Sequence, residues 1–451
     1  MKKILFLLIL ISSCKKNEIE EITNFPEYPE LGKIIPHVTI NTSGKEIVDE
    51  PKIPSQMIIS KDSNILYNGN IGIEIRGSSS QFFPKKSYGF ETWDEKNEDL
   101  DYPLLGFPEE EDWIFYGPFS DKTLIRNKLI FELSNEMNRY ASRTKFCELT
   151  INNEYKGLYI FMEKLKRDKN RINIKKLNND DLDTNRITGG YIIKIDKSDD
   201  INGEQVYTEY TAFKSKYGLL GTNSKSIWFN YEYPKPEDIH LNQKLYIQSH
   251  INDFEDALIG NNFKDSIDGY RKYIDTESFI DFFILNELSN NVDGYRLSTY
   301  MYKDRGDKLK IGPIWDFNLS FGNANYCDGD KYDSWTHEFN DKCPGDFWII
   351  PFWWKQLLKD EYFVEKLKKR WNQLRGNILS DGNIISKINS YTALLKDESG
   401  AIFRNYVQWR VLGIYVWPNN YVGNTYVEEV EYLKKWIINR NKWLDKSINE
   451  L

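Results

Sequence analysis

The sequence predicts an α+β fold, with a strand-rich N-terminal lobe followed by a helix-rich C-terminal lobe. Period-two apolar alternation recurs up to about residue 234, as in Ile71-Gly-Ile-Glu-Ile-Arg76. From Pro236 the apolar spacing becomes helical, with runs near 276–288, 351–375, 381–397 and 427–448. Residues 33–451, roughly 420, exceed the usual size of one core, so two fused lobes are expected, 33–235 and 236–451.

Each element has its own signal. Val38-Thr-Ile40 opens the strands, and Ser87-Tyr-Gly-Phe90 follows a Pro-Lys-Lys. Glu148-Leu-Thr-Ile151 and Tyr155 to Met162 flank Asn152-Asn153, a dipeptide suited to positive φ, and so predict a hairpin. Ser120-Asp121 predicts the start of a helix reaching about Tyr140, with Leu124, Ile125, Leu129, Leu133 and Met137 on one face. Gly190 to Ile195 and Ile227 to Tyr231 read as further strands. A helix from Thr276 to Leu288 precedes a strand pair, 298–302 and 308–311.

The N-terminus reads as a targeting segment. Met1-Lys2-Lys3 is followed by eight apolar residues, Ile4 to Ile11, too few for the ~20 that span a bilayer. Ile11-Ser12-Ser13-Cys14 resembles the lipobox of bacterial lipoproteins, which implies a signal peptide at 1–13 and acyl chains on Cys14. The alternative is an ordinary cleaved signal with an incidental cysteine. Residues 14–32 are polar and read as a flexible tether. The expected location is the cell envelope, lipid-anchored on the periplasmic face or the cell surface, with the membrane met only through the anchor.

Net charge is −8 and no basic block occurs, so nucleic acid is not an expected partner. Cys327 and Cys343 flank a polar loop, and an exported chain can keep such a pair oxidised; two free thiols are the alternative. Cys147 lies in an alternating run and reads as a buried small hydrophobe. Four scattered histidines and no C-x-x-C argue against zinc.

Two acids stand at chain connections. Asp293 lies between an apolar helix and a strand, and Asp316 follows 23 residues later, just past the second strand of the hairpin. A hairpin brings its ends together, and so both carboxylates. Such a pair suits phosphoryl transfer, where one acid positions a hydroxyl and the other holds Mg²⁺. It also suits glycoside hydrolysis. Asp293-Gly294 as a turn pair and Asp316 as a loop cap are the structural alternatives.

The order Asp293-Gly-Tyr…Tyr-Met-Tyr-Lys-Asp, a short hairpin, then Pro-Ile-Trp-Asp316-Phe-Asn-Leu-Ser-Phe-Gly resembles the signature of the CotH (spore coat protein H) kinase family. So do Ile75-Arg-Gly-Ser-Ser-Ser…Phe83-Pro-Lys-Lys-Ser-Tyr, Ile125-Arg-Asn-Lys-Leu and Asn153-Glu-Tyr-Lys-Gly-Leu-Tyr-Ile-Phe-Met-Glu163. The resemblance implies an atypical protein-kinase-like bilobal fold with ATP and Mg²⁺ between the lobes, and a protein hydroxyl as acceptor. By position, Asp293 is similar to the catalytic aspartate and Asp316 to the metal-binding one, with Asn318 as a second oxygen donor. Arg76, Lys85, Lys86 and Glu163 are the candidates for the nucleotide side. A strand would point Lys85 and Lys86 to opposite faces, and Lys85 shares its face with small residues, as a cleft requires. An ion pair with no ligand role is the alternative for Arg76 and Glu163.

The chain departs from kinases in lacking G-x-G-x-x-G, in reading Asn291-Val292 before Asp293, and in placing Ser298 where a kinase has a metal-binding Asn. The alternative function is therefore a weak or inactive family member acting as an adhesin or glycan-binding module. Trp348, Trp353, Trp354, Trp409 and Trp417 would be its candidate platforms, against packing of the helical lobe.

Overall fold

The computed structural model describes residues 29–198, 200–201, 204–218 and 225–451. The signal peptide, Cys14 and most of the tether lie outside the described residues. Seven strands come early: β1 (His37–Asn41), β2 (Ile53–Lys61), β3 (Asn64–Arg76), β4 (Ser87–Trp93), β5 (Asp112–Tyr116), β6 (Thr144–Ile151) and β7 (Glu154–Glu163). They form a closed barrel in the order β1-β2-β3-β4-β5-β7-β6, sealed by parallel pairing of β1 with β6. Closure removes the edges that an open sheet would expose. The barrel encloses its own core, including Val38, Ile40, Met57, Ile71, Ile73 and Phe161. The predicted β6–β7 hairpin is present, with Asn152 and Asn153 both at positive φ, 51° and 65°. Two left-handed residues match a tight turn to the strand twist.

Between β5 and β6 runs α1 (Arg126–Glu136). It starts later than Ser120-Asp121 predicted. Asp121 instead folds the preceding loop, accepting from the amides of Thr123 at 3.0 Å and Arg126 at 2.9 Å. That carboxylate satisfies one of the donors a helix start leaves unpaired.

After the barrel come β8 (Tyr191–Ile195), the two-residue strands β9 (Asp200–Ile201) and β10 (Glu204–Gln205), β11 (Ala212–Lys214) and β12 (Trp228–Tyr233). Helices α2 (Leu241–Ile259) and α3 (Thr276–Ser289) follow, then β13 (Thr299–Lys303) and β14 (Lys310–Ile311). A second sheet runs β11-β12-β8-β13-β14. It joins strands from both sides of residue 235, so a division there passes through a sheet.

Helix α3 is buried on all sides from Ser278 to Ser289. Asp275 caps its start, accepting from Ser278 N at 2.7 Å, and Asn290 ends it at φ 45°. Each fully buried Phe or Ile in such a helix contributes roughly 1.5–3 kcal/mol relative to exposure. The remaining helices are α4 (Phe339–Lys342), α5 (Trp353–Leu357), α6 (Glu361–Arg375), α7 (Asp381–Thr392), α8 (Ala401–Gln408) and α9 (Tyr426–Asn449); α5, α6 and α9 pack on α3, whereas α8 packs on β7. Cys327 and Cys343 form a disulfide, and Cys147 is buried and free. Among the described residues, no helix is long and apolar enough to cross a membrane.

Candidate active site

Sheet register gathers the acids. β13 pairs antiparallel with β8, Thr299 opposite Ile195, and β14 pairs antiparallel with β13, Met301 opposite Ile311. The end of β8, the start of β13 and the end of β14 therefore share one end of the sheet. Asp196 follows β8, Asp293 lies on the loop entering β13, and Asp316 lies on the segment leaving β14. The hairpin thus brings Asp293 and Asp316 together, as expected, and adds a third carboxylate.

The loops are held by polar clasps. Asn291 accepts from Asp293 N at 3.3 Å and donates to Asp316 O at 3.4 Å, tying the two segments to each other. Arg296 pairs with Asp293 at 2.9 Å and with Asp346 at 3.2 Å, and its guanidinium lies 4.0 Å from the Phe339 ring centroid. From α1, Asn127 accepts from Phe317 N at 2.8 Å, and Arg126 donates to Ser320 O at 3.1 Å. The Ile125-Arg-Asn motif is thereby explained: it grips the backbone just after Asp316.

The backbone here is unusual. Tyr295, Ser298, Asp316 and Phe321 all have positive φ, from 46° to 69°. For bulky residues such as Tyr295 and Phe321 this costs roughly 1–3 kcal/mol each, and it persists only where surroundings enforce it. Tyr295 donates to Glu287 at 3.1 Å, and Phe321 N donates to Ser289 O at 2.6 Å, so α3 enforces both.

Electrostatics mark this cleft. Burial raises the Asp293 carboxyl above the usual range, against the nearby Arg296 and Lys197 charges. Burial, then the Asp293 and Asp196 charges, push Asp316 up to about 7, with Arg76 and Lys197 opposing. Asp316 is exposed by surface area, yet protein walls it in. A carboxylate opening into such a concavity touches water but loses much of the hydration that stabilises its charge. Asn318, two residues on, is half-buried, and its side chain makes no hydrogen bond among the described residues. Oxygen donors dominate, and Asp316 has no ion-pair partner among the described residues. That donor set fits a hard divalent cation such as Mg²⁺.

The predicted nucleotide-side residues divide. Arg76 reaches the cleft: its guanidinium lies 5.5 Å from the Trp315 ring centroid, and its charge acts on Asp316. Lys85 and Lys86 precede β4 rather than lie on it, so strand alternation does not sort them. Lys85 is buried and donates to Leu158 O at 2.6 Å and Asn405 Oδ1 at 2.8 Å; burial pushes it down to about 7. Lys86 donates to Gln81 O. Glu163 is buried and pairs with Arg143, with Arg171 at 3.7 Å. Neither lysine nor Glu163 contacts Asp293 or Asp316 through any hydrogen bond or ion pair among the described residues.

Asp196, Lys197, Arg296 and Asp346 escaped the sequence reading. The first was within reach, because Asp196 ends a predicted strand just as Asp316 does. The pairing that sets these ends side by side is nonlocal and left no signal. Of the tryptophans, Trp353 and Trp354 are core, whereas Trp417 is 53% exposed and stacks on Tyr326 at 6.2 Å and 7°.

Fold and site together define an α+β protein whose sheet end concentrates carboxylates between strand connections. The chain belongs to the CotH kinase protein family, whose model matches residues 73–444. No individual curated protein matches it. Membership supports a kinase-like function, and the matched span includes every cleft residue described above.

Proposed function

We propose that this protein is an atypical, bilobal kinase-like phosphotransferase that moves phosphate from a Mg²⁺-nucleotide, ATP, to a protein hydroxyl. The observation that carries the reading is the meeting of Asp293 and Asp316 at one sheet end, with Asp316 pushed up to about 7. Asp316 and Asn318 would hold Mg²⁺, which supplies charge neutralisation on the phosphates. Asp293, fixed by Arg296, orients the acceptor hydroxyl and takes its proton. Arg76 faces the donor phosphates, where a planar guanidinium binds oxygens in pairs. Lys85, Lys86 and Glu163 serve the barrel.

Intact-mass analysis after incubation with ATP and Mg²⁺ tests this. The wild-type chain gains phosphate, on itself or on an added protein, and Asp293→Ala does not. Phosphate gain unchanged in that variant would refute the assignment.

We place the protein in the cell envelope, anchored through lipidated Cys14. Cys14→Ser then moves the chain from the membrane to the soluble fraction; a variant still in the membrane fraction contradicts the anchor. The Tyr326–Trp417 stack supports a second reading, a glycan-binding surface protein, because an exposed indole is a platform for sugar rings. Absence of nucleotide binding together with oligosaccharide binding would favour it.

A further inference from the structure

The Asp196-Lys197 turn is fastened more firmly than a strand end requires. Asn230 donates to Lys197 O at 2.9 Å and to Asp196 O at 3.4 Å, and Tyr207 donates to Asp196 O at 2.8 Å. Tyr207 in turn stacks on Trp228 at 5.1 Å and 5°, and its hydroxyl accepts from Trp348 Nε1 at 3.2 Å. The backbone of Lys197 is thus fixed from β12, from Tyr207 and, through it, from Trp348.

Among the described residues, the Lys197 ammonium has no hydrogen-bond or ion-pair partner. Lys197 Nζ lies 5.3 Å from the Trp348 ring centroid. Among the described residues, no carboxylate lies within ion-pair distance of it. Its charge nevertheless acts on both Asp293 and Asp316. The ring beneath it belongs to the frame that holds Asp293: Asp346 accepts from Trp348 N at 2.9 Å and pairs with Arg296. Lys85 contrasts with this, since buried oxygens already engage its ammonium.

We propose that Lys197 is the cleft lysine that grips the transferable phosphate of the nucleotide, resting on Trp348 when no nucleotide is bound. The inference rests on the phosphotransferase reading. A lysine stem is flexible and carries three donors. A cation over an indole is held more weakly than one making charge-assisted hydrogen bonds to phosphate oxygens, so a phosphate draws the ammonium off the ring. Arg76 over Trp315 is the second such cation, and together they offset part of the charge that three carboxylates present.

Calorimetric titration of the full chain with ATP and with AMP, both with Mg²⁺, tests the assignment. Lys197→Ala weakens ATP binding about ten- to hundred-fold, the range of one charge-assisted phosphate contact. It leaves AMP affinity within about twofold, because AMP lacks the phosphate in question. Lys197→Arg, which keeps the charge, recovers most of the ATP affinity. Equal losses for ATP and AMP would overturn the proposal, as would wild-type ATP affinity in Lys197→Ala while Asp316→Ala abolishes binding; the latter result would leave the phosphotransferase reading intact. No nucleotide binding by the wild-type chain would overturn both.

Discussion

The barrel and the cleft each collect acids, but in the barrel a single lysine answers three of them, whereas in the cleft Asp316 has no ion pair among the described residues. On the β4–β5 connection of the barrel, Asp101, Glu110 and Glu111 bring carboxylate oxygens within 4.8 Å of one another. Lys166 sits among the acids there, pairing with Glu110 and Glu111 at 2.6 Å and Asp112 at 2.8 Å, and Arg171 adds a pair to Glu110 at 3.0 Å. Burial opposes ionisation of Asp112, yet Lys164 and Lys166 outweigh it and hold the carboxyl below its usual range. Glu110 is pushed up to about 7, by burial against Arg171 and Lys166. Asp316 also reaches about 7, but there like charge adds to burial, and no ion pair answers it among the described residues. The barrel acids are answered within the fold, whereas Asp316 gains a directly paired counter-charge only from a cationic ligand.

The largest expected effects break the cleft. Asp293→Ala lowers phosphate transfer about 10²–10⁴-fold, the usual worth of a positioned acid or base, and spares Mg²⁺-nucleotide binding. Single-turnover kinetics beside titration separates the two. Asp316→Ala abolishes the binding itself.

Breaking the barrel network should do the reverse. Glu163→Ala strips the buried partner from Arg143 and Arg171 and costs roughly 3–5 kcal/mol of stability. Urea denaturation reads that loss, and nucleotide affinity under native conditions stays unchanged.

Cys327→Ser with Cys343→Ser opens a loop whose ends are 16 residues apart. The loss in denaturation is about 3 kcal/mol. The disulfide also joins the segment bearing Tyr326 to the one bearing Asp346, so support for Arg296 and Asp293 weakens with it.

A third buried acid sharpens the comparison. Glu255 is held by neutral donors, Ser215 at 2.8 and 2.9 Å and Trp353 at 3.0 Å, and burial pushes it up to about 7. Its folded pKa lies above the ordinary 4.5, so stability is lost as pH rises between these values and the loss is complete above 7. Glu255→Gln, which stays neutral, therefore stabilises at pH 8 by up to about 3 kcal/mol and has little effect at pH 4. Thermal melts at the two pH values read this. Nucleotide affinity does not follow, because charge imbalance matters only where a ligand can enter.

Much of this was legible in the chain. The Asn152-Asn153 turn, the α3 helix, the 298–311 hairpin and the disulfide all have local signals. The meeting of Asp293 and Asp316 is legible because a hairpin relates its own ends. Barrel closure was not legible, because the parallel β1–β6 pairing links residues more than a hundred positions apart. For the same reason the contacts of Lys85 are not legible: its acceptor Asn405 lies 320 residues away, on α8. Asp196 and Lys197 join the cleft only through β8–β13 pairing.

Calorimetric titration of the full chain with ATP, with and without Mg²⁺, tests the metal role of Asp316. Binding that requires the cation and disappears in Asp316→Ala is the expected result. Binding that ignores Mg²⁺, or that survives Asp316→Ala undiminished, would contradict it.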